Sequence, residues 1–242
     1  GGYRAYRRHV VAALASAPRQ FDYRLICGLT GSGKSRLLSA LAAEGAQVLE
    51  LERIARHRGS LLGDQPDTRQ PTQKYFESEL LAVLSSFDPR RVVYVESESR
   101  KIGDAQLPDG LLSAMRASPC VRVETPAPLR GALLKDEYGH FLTASDELNN
   151  RLARLAPLHG KKTIERWSAM AARGEHEALI SELLALHYDP MYTRSIARNF
   201  PRYSDATLAE VRDISPTGFR TLARELLARA ASAEHLESTE QQ

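Results

Sequence analysis

Gly28-Leu29-Thr30-Gly31-Ser32-Gly33-Lys34-Ser35 fits the pattern G-x-x-x-x-G-K-[ST] at every fixed position. Its flanks have the matching character. Tyr23-Arg24-Leu25-Ile26-Cys27 reads as a short buried strand, and Arg36 to Glu44 reads as a helix with Leu37, Leu38 and Leu41 on one face. Strand, glycine loop and helix together form the context in which this pattern makes a phosphate site. Gly28, Gly31 and Gly33 let the backbone curl so that successive N–H groups, including those of Thr30 and Ser32, point into one cavity. The helix N-terminus adds a partial positive charge there. Lys34 brings a full charge to the outer phosphates, and the Ser35 hydroxyl is placed to hold Mg²⁺.

The rest of the chain is read outward from this loop. Residues 3–16 form an amphipathic pattern, with Tyr6, Val10, Val11 and Leu14 inward and Arg4, Arg7 and Arg8 outward, and Pro18 ends it. Gln47 to Glu52 reads as a second strand, whose parity sets Glu50 and Glu52 on one face and Leu49 and Leu51 on the other. Residues 73–87 are expected to be helical, with Phe76, Leu80, Leu81 and Leu84 inward. Arg91 to Val95 is apolar on both faces, the mark of a central parallel strand. Pro119 to Val123 is a further short strand. Alternating strands and helices around a phosphate loop predict an α/β fold of the P-loop NTPase kind, with a mostly parallel sheet flanked by helices.

After about residue 126 the pattern becomes helical, over 126–137, 141–156, 161–173 and 175–187, with breaks at Gly139, His159-Gly160 and Gly174. Residues 189–199 continue this layer. Thr207 to Val211 returns as a last strand. A last helix over 216–231 follows, with Ser215 as N-cap and Pro216 at its first position. The expected organisation is a linker helix (1–20), a P-loop α/β domain (21–231) with a helical insertion or lid at about 126–200, and a flexible tail (232–242).

Composition narrows the class. The 242 residues are 43% hydrophobic and 26% charged, ordinary for a globular chain. No run of about 18 apolar residues is present, so no membrane span is expected. The start is polar and basic, unlike a signal peptide. Cys27 and Cys120 lie far apart without a metal-type spacing, and Cys27 reads as a buried small residue, which points to a reducing, cytoplasmic setting. A net charge of +3 permits a nucleic-acid partner without requiring one.

Several residues have the chemistry of a site. Glu96 follows the central strand, where an acid can hold a Mg²⁺ shell, and Glu98 and Arg100 follow it on the rim where open α/β sheets bind ligands. Glu50 and Glu52 end the second strand on the same rim. Arg53, Arg56, His57 and Arg58 form a cationic cluster suited to paired phosphate oxygens, and hence to a diphosphate or a nucleic-acid backbone. His187-Tyr188-Asp189-Pro190-Met191-Tyr192 is either a lid with aromatics able to stack on a base or a helix break with core aromatics. Trp167 and Tyr75 read as core. As far as the residues alone go, a small-molecule or nucleoside kinase and a non-catalytic nucleic-acid-docking module stand beside any other transferase.

The phosphate loop, the run Leu51-Glu52-Arg53-Ile54-Ala55-Arg56-His57-Arg58-Gly59-Ser60, the run Val95-Glu96-Ser97-Glu98-Ser99-Arg100-Lys101-Ile102-Gly103 and His187 to Tyr192 together resemble, in order and spacing, the C-terminal half of the tRNA 2-selenouridine synthases. The resemblance covers nearly the whole chain. It implies a transferase acting on 2-thiouridine at the wobble position of tRNA, first with geranyl diphosphate to give the S-geranyl nucleoside, then with selenophosphate as the selenium donor. On this reading Lys34 and Ser35 hold diphosphate and Mg²⁺, and Arg56 and Arg58 neutralise the leaving diphosphate or the tRNA backbone. Glu52, Glu96 and Glu98 position metal or substrate, with Ser35 and Glu96 as the Mg²⁺ pair and His57 and Arg100 in the phosphate set. The family also carries an N-terminal rhodanese-like domain with a cysteine used in the selenium step. Gly1 to Arg7 resembles the segment that follows that domain, so the natural protein is expected to be longer, and neither Cys27 nor Cys120 inherits that role.

Overall fold

A computed structural model describes residues 2–59, 69–137 and 145–240. The chain builds a parallel five-stranded sheet in the order β2-β3-β1-β6-β7. The strands are β1 (Tyr23–Cys27), β2 (Gln47–Leu49), β3 (Val93–Glu96), β6 (Cys120–Glu124) and β7 (Thr207–Glu210). A two-stranded ribbon, β4 (Lys101–Ile102) and β5 (Ala105–Gln106), stands apart. β1 pairs on both sides, Leu25 facing Val95 of β3 and Cys120 of β6. The loop-bearing strand therefore lies next to the strand that carries Glu96.

Helices cover both faces of the sheet. On one face α1 (Tyr3–Ser16), α4 (Gln73–Ser85) and α5 (Asp109–Ala117) bury Val10, Leu14, Phe76, Leu80 and Leu111 against Leu25, Val93 and Val95. On the other, α2 (Lys34–Ala43) and α12 (Pro216–Glu240) bury Leu37, Leu41, Phe219 and Ala223 against Ile26, Tyr94 and Val121. Buried faces on both sides explain why β1 and β3 read as continuous apolar runs. A third cluster holds together α7 (Ser145–Ala153), α9 (Lys161–Ala172) and α10 (His176–Leu183) around fully buried Trp167. Among these helices run α6 (Ala127–Glu137), α8 (Ala156–His159) and α11 (Asp189–Asn199). A π turn at Leu184–Tyr188 joins α10 to α11 without a helix break.

Four expectations are corrected. The second strand ends at Leu49, and Leu51–Ala55 is a short helix, α3, begun by Ile54 N–H bonding the Glu50 carbonyl. Both Leu49 and Leu51 are buried, so the apparent alternation is a strand followed by a helical turn. In α1 only Val10 and Leu14 are buried, whereas Tyr6 and Val11 are exposed, because the helix rests on α4 and α5 along a narrow stripe. Arg7, read as outward, pairs instead with Glu77 of α4. Tyr75 is 53% exposed rather than core. The last helix continues to Glu240, beyond residue 231. Its N-cap is as expected, the Ser215 Oγ accepting the Gly218 N–H at 3.1 Å. The Gly139 break, residues 141–144 and Ser60 lie outside the described residues.

Candidate functional site

The phosphate loop closes directly on the end of β1. Gly33 has φ 84°, left-handed backbone that favours glycine, and a Cβ there would meet the Phe219 ring at 2.4 Å. α2 then starts at Lys34 with its N-terminus facing the loop. Three outer elements brace this loop. Arg130 of α6, buried, donates from Nε and Nη2 to the Thr30 carbonyl at 3.0 and 2.9 Å, and from Nη1 to Asp189 Oδ2 at 3.0 Å. Thr125 Oγ1 donates to the Ser32 carbonyl at 2.8 Å. From α11 the Tyr192 hydroxyl accepts the Gly28 N–H at 2.9 Å and shares a hydrogen bond with Ser97 Oγ at 2.8 Å. Lys34 Nζ donates to the Gly28 carbonyl at 2.8 Å and lies 5.1 Å from the centroid of the Tyr192 ring.

A cavity of about 410 Å³ opens over the loop. It is lined by Thr30 to Ser35, by Glu52, Arg58, Glu98 and Glu137, and by Leu134, His187, Tyr188 and Met191. Of the sequence candidates, the loop residues, Glu52, Arg58 and Glu98 thus meet in one place. Ser35 Oγ lies 3.4 Å from Glu52 Oε2. Glu96 is fully buried beneath, its Oε2 taken by the Leu51 N–H at 2.8 Å, so it orients α3 and does not line the cavity. Arg56 points away, its guanidinium 5.8 Å from the Tyr75 ring. His57 is buried, with Nδ1 accepting the Gly59 N–H at 3.0 Å. Arg100 pairs with Asp109 at 2.7 Å on the surface.

The acids crowd one another. Burial, then the neighbouring Glu52 charge and their mutual hydrogen bond, push Glu98 up to about 8 against the pull of Lys34. Burial likewise raises Glu52, with Lys34 and Arg58 opposing it. Burial also raises Glu137, against Arg58 and Arg36. Glu96 is raised further, by burial and then by Glu52. Burial and the adjacent His159 lower His187, whose Nδ1 lies 3.1 Å from His159 Nε2. Close carboxyls raise one another's affinity for a proton, and the neighbouring lysine lowers it.

Sequence reasoning did not single out Arg130, Glu137, Leu134 or His159. Each lies on a helix of the chain's second half, and no local spacing ties any of them to the loop. The His187 to Tyr192 run was legible as unusual, but it is no helix break, since a π turn carries the helix on into α11. Tyr192 packs on the loop and Tyr188 faces the cavity. Local π geometry of this kind frequently marks functional segments.

Known proteins are similar to this chain over most of its length. A family model described as the tRNA 2-selenouridine synthase AAA domain matches residues 21–156. Curated proteins named tRNA 2-selenouridine synthase are similar over most of the chain. The one from Shewanella loihica is 30% identical over 230 residues, covering 84% of this chain and 60% of that protein. Those from Marinobacter nauticus and Cupriavidus pinatubonensis are 31% and 32% identical over 220 residues, each covering 79% of this chain and 59% of the relative. The chain thus spans about 60% of the length of the curated relatives it matches.

Proposed function

The chain belongs to the tRNA 2-selenouridine synthase family, and from that premise we propose that this domain binds a diphosphate-bearing alkyl donor, geranyl diphosphate, and transfers its alkyl group to wobble 2-thiouridine in tRNA. The observation that carries the reading is the mixed lining of the cavity. Lys34 and Arg58 line it together with Leu134, Tyr188 and Met191, which suits a ligand with an anionic head and an apolar tail. In the step, the thiocarbonyl sulfur attacks the first carbon of the geranyl group. The S–C bond forms, the C–O bond breaks, and the electron pair leaves with diphosphate. The nucleoside then loses its ring N–H proton. The loop N–H groups, Lys34 and Arg58 stabilise the charge that grows on the leaving group. His187, whose affinity for a proton is lowered by burial and by His159, lies in the same cavity as a neutral acceptor for the released proton.

Mg²⁺ fits beside the loop, where the Ser35 hydroxyl and Glu52 carboxylate offer hard oxygens within reach of one another. When bound there it would add positive charge against the diphosphate. Glu96, with one oxygen committed to Leu51, supports this pair from below. Exchange of the alkyl group for selenium, with selenophosphate, is proposed as an activity of the longer protein together with its rhodanese-like domain.

The test is mass spectrometry of nucleosides from 2-thiouridine-containing tRNA incubated with the chain, Mg²⁺ and geranyl diphosphate. The expected product is the S-geranyl nucleoside, lost in Lys34→Ala. No alkylated product, with phosphorylation of a small acceptor by ATP, would replace this reading with a kinase. No product and no ATP turnover, with tRNA still bound, would leave a docking module.

A further inference from the structure

Arg56 was expected in the phosphate set, yet the fold turns it outward. At Arg56 the backbone is left-handed, with φ 51°, the only non-glycine residue with positive φ among those described. As the C-cap of α3 its N–H bonds the Arg53 carbonyl. The turn separates three successive side chains. Arg56 is exposed, His57 is buried, and Arg58 lines the cavity. A left-handed arginine costs on the order of 1 kcal/mol, so its outward course points to a use.

What Arg56 meets outside is an aromatic. Its guanidinium lies 5.8 Å from the ring centroid of Tyr75, which is 53% exposed on the first turn of α4. The next residue back, Lys74, sets its ammonium 5.8 Å from the ring centroid of Tyr3, 62% exposed on α1. Arg7 ties these elements together, donating to the Lys74 carbonyl at 3.1 Å. Of the acids close by, Glu77 pairs with Arg7 and Glu50 with Arg53. Exposed Arg4 and Arg8 extend the positive charge along α1. Cations and exposed rings thus alternate from α1 across α4 to Arg56, two residues before Arg58 of the cavity.

We propose that this strip, centred on Arg56, Lys74, Tyr3 and Tyr75, is the surface on which the RNA substrate lies, its unpaired bases stacking on the tyrosines and its phosphates meeting the cations. The proposal rests on the tRNA reading above and adds the path to the site. Rings on an exposed strip serve splayed-out bases, since a continuous duplex hides its base faces. Cations beside them neutralise the backbone between stacked bases.

The experiment is titration of a fluorescent anticodon stem-loop RNA by anisotropy over a range of salt. Tyr75→Ala is expected to weaken binding about 10-fold, and Tyr75→Phe to keep it within about 2-fold. The Arg56→Ala/Lys74→Ala pair should reduce the slope of log K against log salt by about 1 to 2. Lys161→Ala/Lys162→Ala, which removes equal charge from α9, should leave it unchanged. Equal losses in both charge pairs, or no loss in the strip variants, would overturn the proposal. So would a concentration-dependent self-association that Tyr75→Ala weakens while RNA binding is intact. Pyrophosphate binding by calorimetry separates the two readings. If the chain binds pyrophosphate but no RNA, the strip is refuted and the phosphate site stands. If RNA binds through the strip while no nucleoside is alkylated, the strip stands and the proposed reaction fails.

Discussion

Glu98 shows the crowding of the site in one side chain. Its folded-state value of about 8 lies above the 4.5 of an ordinary glutamic acid, so between those values the folded protein holds a proton that the unfolded chain has released. Its contribution to stability is therefore full below pH 4.5 and lost as the pH rises through 8. Glu98→Gln cannot ionise. It is expected to match wild type near pH 4.5 in urea unfolding and to exceed it above pH 8 by about 1–2 kcal/mol. Arg130 poses the opposite problem, a buried cation that must keep its partners. Asp189→Asn removes the charge facing it and should lower stability by about 3 kcal/mol at neutral pH, read as a shift in the urea midpoint. The spacing of the phosphate loop made Gly28 to Ser35 legible. Arg130 was not, since its partners Thr30 and Asp189 lie 100 and 59 positions away.

At the scale of elements, α11 and α5 are each positioned by a close contact. α11 is fixed to the loop by the Tyr192 hydroxyl, which bridges the Gly28 N–H and Ser97. Tyr192→Phe keeps the ring over Lys34 and leaves that N–H without its acceptor, a cost of about 1–2 kcal/mol. α5 crosses α1 at Gly110, where a Cβ would meet the Leu14 and Ala15 carbonyls at 2.8 Å. Gly110→Ala must push these backbones apart and is expected to cost about 1–3 kcal/mol with the urea m-value unchanged. Helices 73–85 and 189–199 and the N-cap at Ser215 followed from periodicity and capping chemistry. The α3 turn did not, because Leu-Glu-Leu-Glu alternates like a strand, and only the Leu51 N–H bond to Glu96 and the burial of Leu51 show where the strand stops.

Across the whole molecule, the sheet and the helical layer meet at the loop through Arg130, Thr125 and Tyr192. A ligand in the loop therefore touches parts of both layers. Pyrophosphate at about 100 times its dissociation constant should add about 2.7 kcal/mol to unfolding. Wild type should show this as one shifted transition by both near- and far-ultraviolet circular dichroism. Lys34→Ala should show no shift, and two separable transitions would mean that the helical layer unfolds on its own. No helix among the described residues is long and apolar enough to cross a membrane.

By itself the sequence determined the local features. A glycine loop between a strand and a helix has a physical signature within a dozen residues, and apolar runs on β1 and β3 declare burial on both faces. The distinctive runs around Glu52, Glu96 and His187 likewise pointed to the family. What only tertiary structure decided is which charges face the phosphates. Glu52 and Glu98 meet at the cavity while Glu96 lies beneath it, and Arg58 turns in while Arg56 turns out. Those outcomes depend on one helical turn after β2, on one left-handed residue, and on helices from beyond residue 126 closing over the loop. They are long-range and conformational facts, and no spacing along the chain encodes them.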